Sequence, residues 1–155
     1  MGTKSDAGIY VREAPYLERY VQIGLASGRV LSVSFPESPP SKHKTDHRLL
    51  DRVEAYLEGA KEEFDDVKIG TTRPTDQWTI LETLRTVPYG EGVTVETLAR
   101  MTSELDHEDE ADHRLVRRAL ANNPTPIFIP DHRVSDGPSA APPAVEQRLR
   151  SLEGL

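Results

Sequence analysis

The sequence predicts an α/β (α+β) fold: a small N-terminal lobe of sheet and one covering helix, followed by a helical lobe of winged helix-turn-helix type. Three observations predict it. Two β-rich runs, residues 20–25 and 29–35, are separated only by Ala26, Ser27 and Gly28, which marks a hairpin. Residues 45–64 carry Leu49, Val53, Tyr56, Leu57 and Ala60 on one helical stripe. Downstream, three further helical stretches are separated by proline and glycine, the strongest local breakers. The division falls at residue 66, giving an N-terminal α/β lobe over 1–66 and a helical lobe over 67–155.

Residues 1–15 are polar and read as frayed, or as a short edge strand around Ile9, Tyr10 and Val11. In the second hairpin strand Leu31, Val33 and Phe35 share one face, and Ser32 and Ser34 the other. Residues 36–44 form a proline- and serine-rich loop, after which Thr45 or Asp46 caps a helix running to about Phe64. This lobe carries no visible chemistry and reads as structural. Residues 65–75 are a linker. Thr75 or Asp76 opens a helix with Trp78, Leu81 and Leu84 at i+3, and Val87, Pro88, Tyr89 and Gly90 end it. Thr94 is a good N-cap for a short helix over 95–101. A third helix covers about 109–122, with Leu115, Val116, Ala119 and Leu120 as its apolar stripe and Arg114, Arg117, Arg118 and Ala121 on another face. Two short helices followed by one with a basic face are the ingredients of a helix-turn-helix. Three arginines on a helix are, however, more often a solvated face than a DNA contact.

A length of 155 residues suits one domain, or two small lobes sharing a core. No apolar run approaches the roughly 18 residues of a membrane span, and the N-terminus lacks a signal-peptide core. A soluble, cytoplasmic chain with no membrane partner is expected. The absence of cysteine excludes disulfides, thiolate metal sites and a cysteine nucleophile. Nineteen basic against 26 acidic residues, a net charge of −7, argues against a strong non-specific DNA binder. An acidic surface also suits concentrated salt, where screening shortens to about 3 Å at 1 M. Residues 103–112 carry six carboxylates. Some favour the following helix N-terminus through its dipole, and the rest would repel phosphates if they faced DNA. His107 and His113 lie among them, but such loops are usually just solvated, and no metal is assigned.

The chain is organised around residues 124–134. Ile127, Phe128 and Ile129, fenced by prolines, read as a buried strand end. Pro130 then stops the backbone, and the next residues are ionisable. Pro130-Asp131-His132-Arg133-Val134 closely resembles the Pro-Cys-His-Arg-Val signature of the O6-alkylguanine-DNA alkyltransferases, the methylated-DNA–protein-cysteine methyltransferases. Other positions keep register with that family: Tyr56-Leu57-Glu58-Gly59 with Phe64, Gly70-Thr71 before Gln77-Trp78, Pro88-Tyr89-Gly90, and Leu98-Ala99. So do Arg114, Val116, Ala119, Asn123 and Pro124, and the C-terminal Glu153-Gly154. The resemblance spans roughly residues 55–155 and, more loosely, the whole chain.

The resemblance implies a recognition helix that enters the minor groove and a finger arginine that fills the hole left by a flipped base. It implies a cysteine that takes the alkyl group irreversibly, with a thiol activated through water by a histidine that a glutamate orients. Carried onto this chain, Arg114 is the candidate finger, and Arg117 and Arg118 accompany it on the DNA-facing helix. Thr94 and Val95 mark the DNA-side start of the preceding helix. Asn123 is the hinge residue that bonds backbone around the turn. His132 and Glu153 are the orphaned base and orienter, and Arg133 reads as a structural ion-pair partner.

Five departures stand out. Asp131 holds the acceptor position, where a carboxylate is a weak nucleophile and its alkyl ester would hydrolyse. Val95 replaces a tyrosine that contacts the target phosphate, and that contact is lost. Arg117 stands where glycine is preferred for close groove approach. Residues 135–143 form a shorter, proline-stiffened version of the glycine-rich lid, which predicts an open pocket. The acidic loop before the recognition helix is the fifth.

The leading expectation is a non-enzymatic, cofactor-free, monomeric alkyltransferase-like protein. It would recognise O6-alkylguanine-type bases in double-stranded DNA by base flipping and signal repair to other proteins. In that reading Asp131 offers hydrogen-bond acceptors to the flipped base and favours amino-bearing bases. A second reading is a scaffold repurposed for protein contacts or regulation, with DNA binding lost. A third is a residual transferase or hydrolase using Asp131 and His132 as an acid–base pair.

Overall fold

The computed structural model describes residues 7–70 and 74–155. Three antiparallel strands, β1 (Gly8–Ala14), β2 (Arg19–Ala26) and β3 (Arg29–Ser34), form one sheet in sequential order. Ser27 at φ 55° and Gly28 at φ 74° close the β2–β3 hairpin. Two left-handed residues in a two-residue loop match the twist of the flanking strands, which is why glycine is useful here. The expected alternation along β3 is interrupted. A register shift at Gly24/Leu25 turns Leu31 outward at 45 % exposure and puts Val30 inside at 1 %, while Val33 and Phe35 stay buried.

Helix α1 (Arg48–Leu57) covers the sheet with Leu50, Val53, Tyr56 and Leu57. Its cap is His47, whose Nδ1 accepts from Leu49 N at 3.0 Å, rather than Thr45 or Asp46. It ends well short of Phe64, because the chain turns at Gly59 (φ 112°) and Ala60 leaves the stripe, exposed. Arg52 reaches out of the helix to Glu62 at 3.0 Å and Asp66 at 2.8 Å, and so draws the following segment back. Phe64 sits there at φ 53° yet is buried. Its ring packs edge-on against Tyr56 (5.6 Å) and Phe128 (5.0 Å), beneath the Arg52 guanidinium.

The segment expected as a linker is stitched to the sheet up to Gly70. Val30 N donates to Lys68 O and Gly70 N to Val30 O, both at 2.9 Å, while Val67 and Ile69 are buried. Thr71 of the Gly70-Thr71 match lies outside the described residues.

Four helices follow: α2 (Thr75–Leu84), α3 (Val95–Met101), α4 (Glu110–Ala121) and α5 (Pro143–Glu153). Thr94 caps α3 by accepting from Thr97 N at 3.1 Å, and Asp109 caps α4 by accepting from Ala111 N at 2.8 Å. In α2 the buried side is Gln77, Ile80, Leu81 and Leu84, with Trp78 half-buried. In α4 it is Val116, Ala119 and Leu120, with Leu115 half-buried. One continuous core runs from Ile23 and Leu50 through Leu81 and Val116 to Leu149. Val33 N of β3 donates to Pro124 O at 2.9 Å, so the turn after α4 closes the edge of the sheet. Among the described residues no helix is long and apolar enough to cross a membrane.

Candidate functional site

The stretch after α4 is not a strand. Ile127 takes φ 81° and Ile129 N donates to Thr125 O at 2.9 Å, forming a buried turn. Pro124, Pro126 and Pro130 remove the N–H groups that a ladder would need. A single 3-10 turn, Asp131–Arg133, follows, and all three of its side chains are buried. Val93 braces it from one side: its N–H donates to Arg133 O, and its carbonyl accepts from Ser135 N, both at 2.8 Å. Arg150 of α5 donates to His132 O at 3.0 Å.

His132 and Arg133 converge on Glu153, at the end of α5. Glu153 Oε2 accepts from His132 Nε2 at 2.8 Å, Tyr56 Oη at 2.5 Å and Arg133 Nη2 at 3.0 Å. Glu153 Oε1 accepts from Arg133 Nε at 2.8 Å and Gly90 N at 3.0 Å. Burial pushes this carboxyl up, but the His132 and Arg133 hydrogen bonds, the His132 charge and the Tyr56 bond outweigh it. They hold it well below the usual carboxylate range. The Tyr56 phenol is pushed up by its own burial and by the Glu153 charge, so it stays a donor. Arg133 also donates to Val87 O at 2.7 Å. His132 Nδ1 is buried with no hydrogen-bond partner among the described residues.

Asp131 is fully buried, and its carboxylate accepts three hydrogen bonds. Asn123 Nδ2 reaches Oδ2 at 3.0 Å, Ala140 N reaches Oδ2 at 2.9 Å, and Ser139 Oγ reaches Oδ1 at 2.6 Å. Burial pushes its pKa up, and the Ser139, Ala140 and Asn123 bonds oppose that. Asn123 is itself fixed, donating to Ile129 O at 2.9 Å and accepting from Thr125 N at 3.0 Å, so it does bond backbone around the turn. The loop over 135–141 therefore lies on Asp131, and the expected open pocket is closed. The prolines stiffen the loop, but the Asp131 carboxylate gives it a partner to close on. Gly137 lets the loop sit this close, since a Cβ there would lie 2.6 Å from Leu120 Cδ1.

The structure thus joins Asn123 to Asp131 and His132 to Glu153, as two neighbouring clusters on consecutive residues. Of the residues predicted for DNA, four lie on the surface of α3 and α4 and outside both clusters. Arg114, Arg117 and Arg118 are exposed along α4, and Thr94 is exposed at the start of α3. Val95 is not on that surface: it is 1 % exposed in the core, and its N–H donates to Asp136 Oδ1 at 2.7 Å. Its side chain offers nothing to a phosphate. The acidic loop turns partly on itself, with Asp112 accepting from Asp106 N and Asp106 from Glu108 N.

Comparison with known proteins places this arrangement. Residues 76–150 match the family model described as the 6-O-methylguanine DNA methyltransferase DNA-binding domain. The methylated-DNA–protein-cysteine methyltransferase of Methanopyrus kandleri is 31% identical over 129 residues, covering 80% of this chain and 93% of that protein. The chain belongs to the methylated-DNA–protein-cysteine methyltransferase family. The relative from Methanothermobacter thermautotrophicus is 30% identical over 132 residues, covering 81% of this chain and 69% of its own length.

Solved structures of this family share the fold. Mycobacterium tuberculosis OGT in complex with DNA matches with TM-score 0.69 at 21% identity, covering 95% of this chain and 91% of that one. The O6-methylguanine-DNA methyltransferase of Pyrococcus kodakaraensis matches with TM-score 0.66 at 20% identity, covering 96% and 100%. This is an alkyltransferase-like, DNA-binding-type fold in a chain that contains no cysteine.

Sequence reasoning missed the donors that complete both clusters: Tyr56, Gly90 N, Ser139 and Ala140 N. Tyr56 and Gly90 stood in the motif register without a role. Nothing local to Ser139 points eight residues back to Asp131.

Proposed function

We propose that this chain is a non-enzymatic alkyltransferase-like protein that binds duplex DNA through α4. It holds a modified guanine-type base out of the stack and marks it for repair by other proteins, acting as a monomer without a cofactor. O6-alkylguanine is the modified guanine that the family handles. The observation that carries the reading is Asp131: a buried carboxylate, bonded three times, at the acceptor position of a fold whose arginine-bearing helix stays exposed. A carboxylate sealed in this way is a poor alkyl acceptor, whereas Arg114, Arg117 and Arg118 are exposed on α4 and free to meet phosphates. The DNA complex of the Mycobacterium tuberculosis relative supports DNA as the partner.

The test is binding to fluorescent duplexes carrying O6-methylguanine or 8-oxoguanine, against the unmodified duplex, across a salt series. Tighter binding to a modified duplex, lost in Arg114→Ala, is expected, with no mass change of the protein after incubation with alkylated DNA. Equal, weak and steeply salt-dependent binding would reduce the function to phosphate contact. A covalent adduct would restore the transferase reading. The closed loop, the six carboxylates before α4 and the net charge of −7 favour one second reading, a scaffold repurposed for protein contacts. Absence of DNA binding at every salt concentration would select it.

A further inference from the structure

Of the three donors on Asp131, two belong to one loop. Ser139 and Ala140 lie in the loop, while Asn123 is anchored by Ile129 O and Thr125 N behind the site. A base that reaches Asp131 must displace that loop. Ser139 Oγ and Ala140 N then leave together, and Oδ1 and one side of Oδ2 lose their partners at once. A buried carboxylate stripped of donors is strongly unfavourable, far more so than a neutral group. An incoming group that returns two donors, side by side at the spacing of one carboxylate, replaces those bonds and keeps Asp131 ionised.

We propose that Asp131 is the specificity-determining residue of the base pocket, and that it selects a guanine-type base whose N1–H and N2–H donors are both intact. The inference rests on the reading that a base is drawn into this pocket. Alkylation at O6 removes the N1 proton and turns that nitrogen into an acceptor. Its lone pair would then oppose a carboxylate oxygen. Oxidation at C8 leaves both donors in place. Pairing and stacking in the duplex oppose the entry of any base that keeps this edge, whether or not C8 is oxidised. Asp131 thus moves the preferred base from O6-alkylguanine toward guanine-type bases with an intact Watson–Crick edge.

The experiment measures fluorescence anisotropy with duplexes that differ at one base: guanine, 8-oxoguanine, hypoxanthine or O6-methylguanine. Each base faces an abasic-site analogue, so that no pairing has to be broken to extrude it. For the unaltered protein, guanine and 8-oxoguanine should bind about tenfold or more tighter than O6-methylguanine. Hypoxanthine, which keeps N1–H and lacks the amino group, should fall between. Asp131→Asn, which offers one acceptor and one donor in the same shape, should flatten the ranking. Equal binding of all four bases by the unaltered protein, or tighter binding of O6-methylguanine, overturns the inference and leaves the DNA-binding reading standing. Binding to none of the four overturns that reading and this inference with it. The ranking is read on the unaltered chain, so a folding defect in the variant does not hide the answer.

Discussion

Replacing Glu153 with alanine tests whether its buried hydrogen-bond cluster anchors the fold. The Glu153 side chain is fully buried and accepts from Tyr56, His132, Gly90 N and two nitrogens of Arg133. Its removal leaves the Arg133 guanidinium, 4 % exposed, with Val87 O at 2.7 Å and a distant Glu63 carboxylate at 3.7 Å. Removing one partner of a buried ion pair costs about 3–5 kcal/mol. Each kcal/mol lowers the melting temperature of a chain this size by about 2–4 °C, so a loss of about 6–20 °C is expected. Thermal unfolding followed by far-ultraviolet circular dichroism reads it.

Acidification gives an independent reading of the same group. The folded carboxyl lies below its ordinary value of 4.5. Its contribution is therefore complete above that value and is lost as pH falls toward the folded one. Glu153→Gln should flatten the acid limb of the stability profile while costing less than Glu153→Ala at neutral pH. If Glu153→Ala melts within about 2 °C of the parent, with an unchanged acid limb, the network does not anchor this fold.

Three further outcomes follow from the geometry. Thr94→Ala removes the cap on Thr97 N and should cost about 1 kcal/mol in thermal unfolding. Arg117→Ala and Arg118→Ala should each reduce the slope of log affinity against log salt by about 0.9, equally for all duplex sequences, if those side chains meet phosphates. Gly137→Ala places a methyl 2.6 Å from Leu120 Cδ1, 3.1 Å from Val134 and 3.3 Å from Val95. It should cost about 1–3 kcal/mol by overpacking and speed hydrogen exchange at Ala140 N–H as the loop lifts from Asp131.

The helical lobe was the more legible part of the sequence, because its signals are local. Thr94 and Asp109 each cap the helix that begins at the next residue, and Pro88 and Gly90 mark the stop after α2. The N-terminal lobe was read less well wherever a distant partner decides the backbone. The β3 register shift depends on Gly24 across the hairpin, and the early end of α1 is coupled to Arg52 recruiting Glu62 and Asp66. At the site, the motif register placed Asn123, Asp131, His132 and Glu153, and the structure joins them in two pairs. It could not foresee the cover over Asp131, because the bonds from Ser139 and Ala140 reach back eight and nine residues, beyond any local pattern.

The Glu153 cluster also bears on how related sequences are to be read. Its five hydrogen bonds tie α1, the turn after α2, the 3-10 turn and the end of α5 into one joint, through Tyr56, Gly90, His132 and Arg133. None of these five hydrogen bonds uses the Asp131 side chain, so a substitution at Asp131 leaves the joint intact. His-Arg-Val followed by a distant glutamate is then a mark of architecture. Between Pro130 and His132 the Asp131 side chain hangs on a separate set of bonds, from Asn123, Ser139 and Ala140.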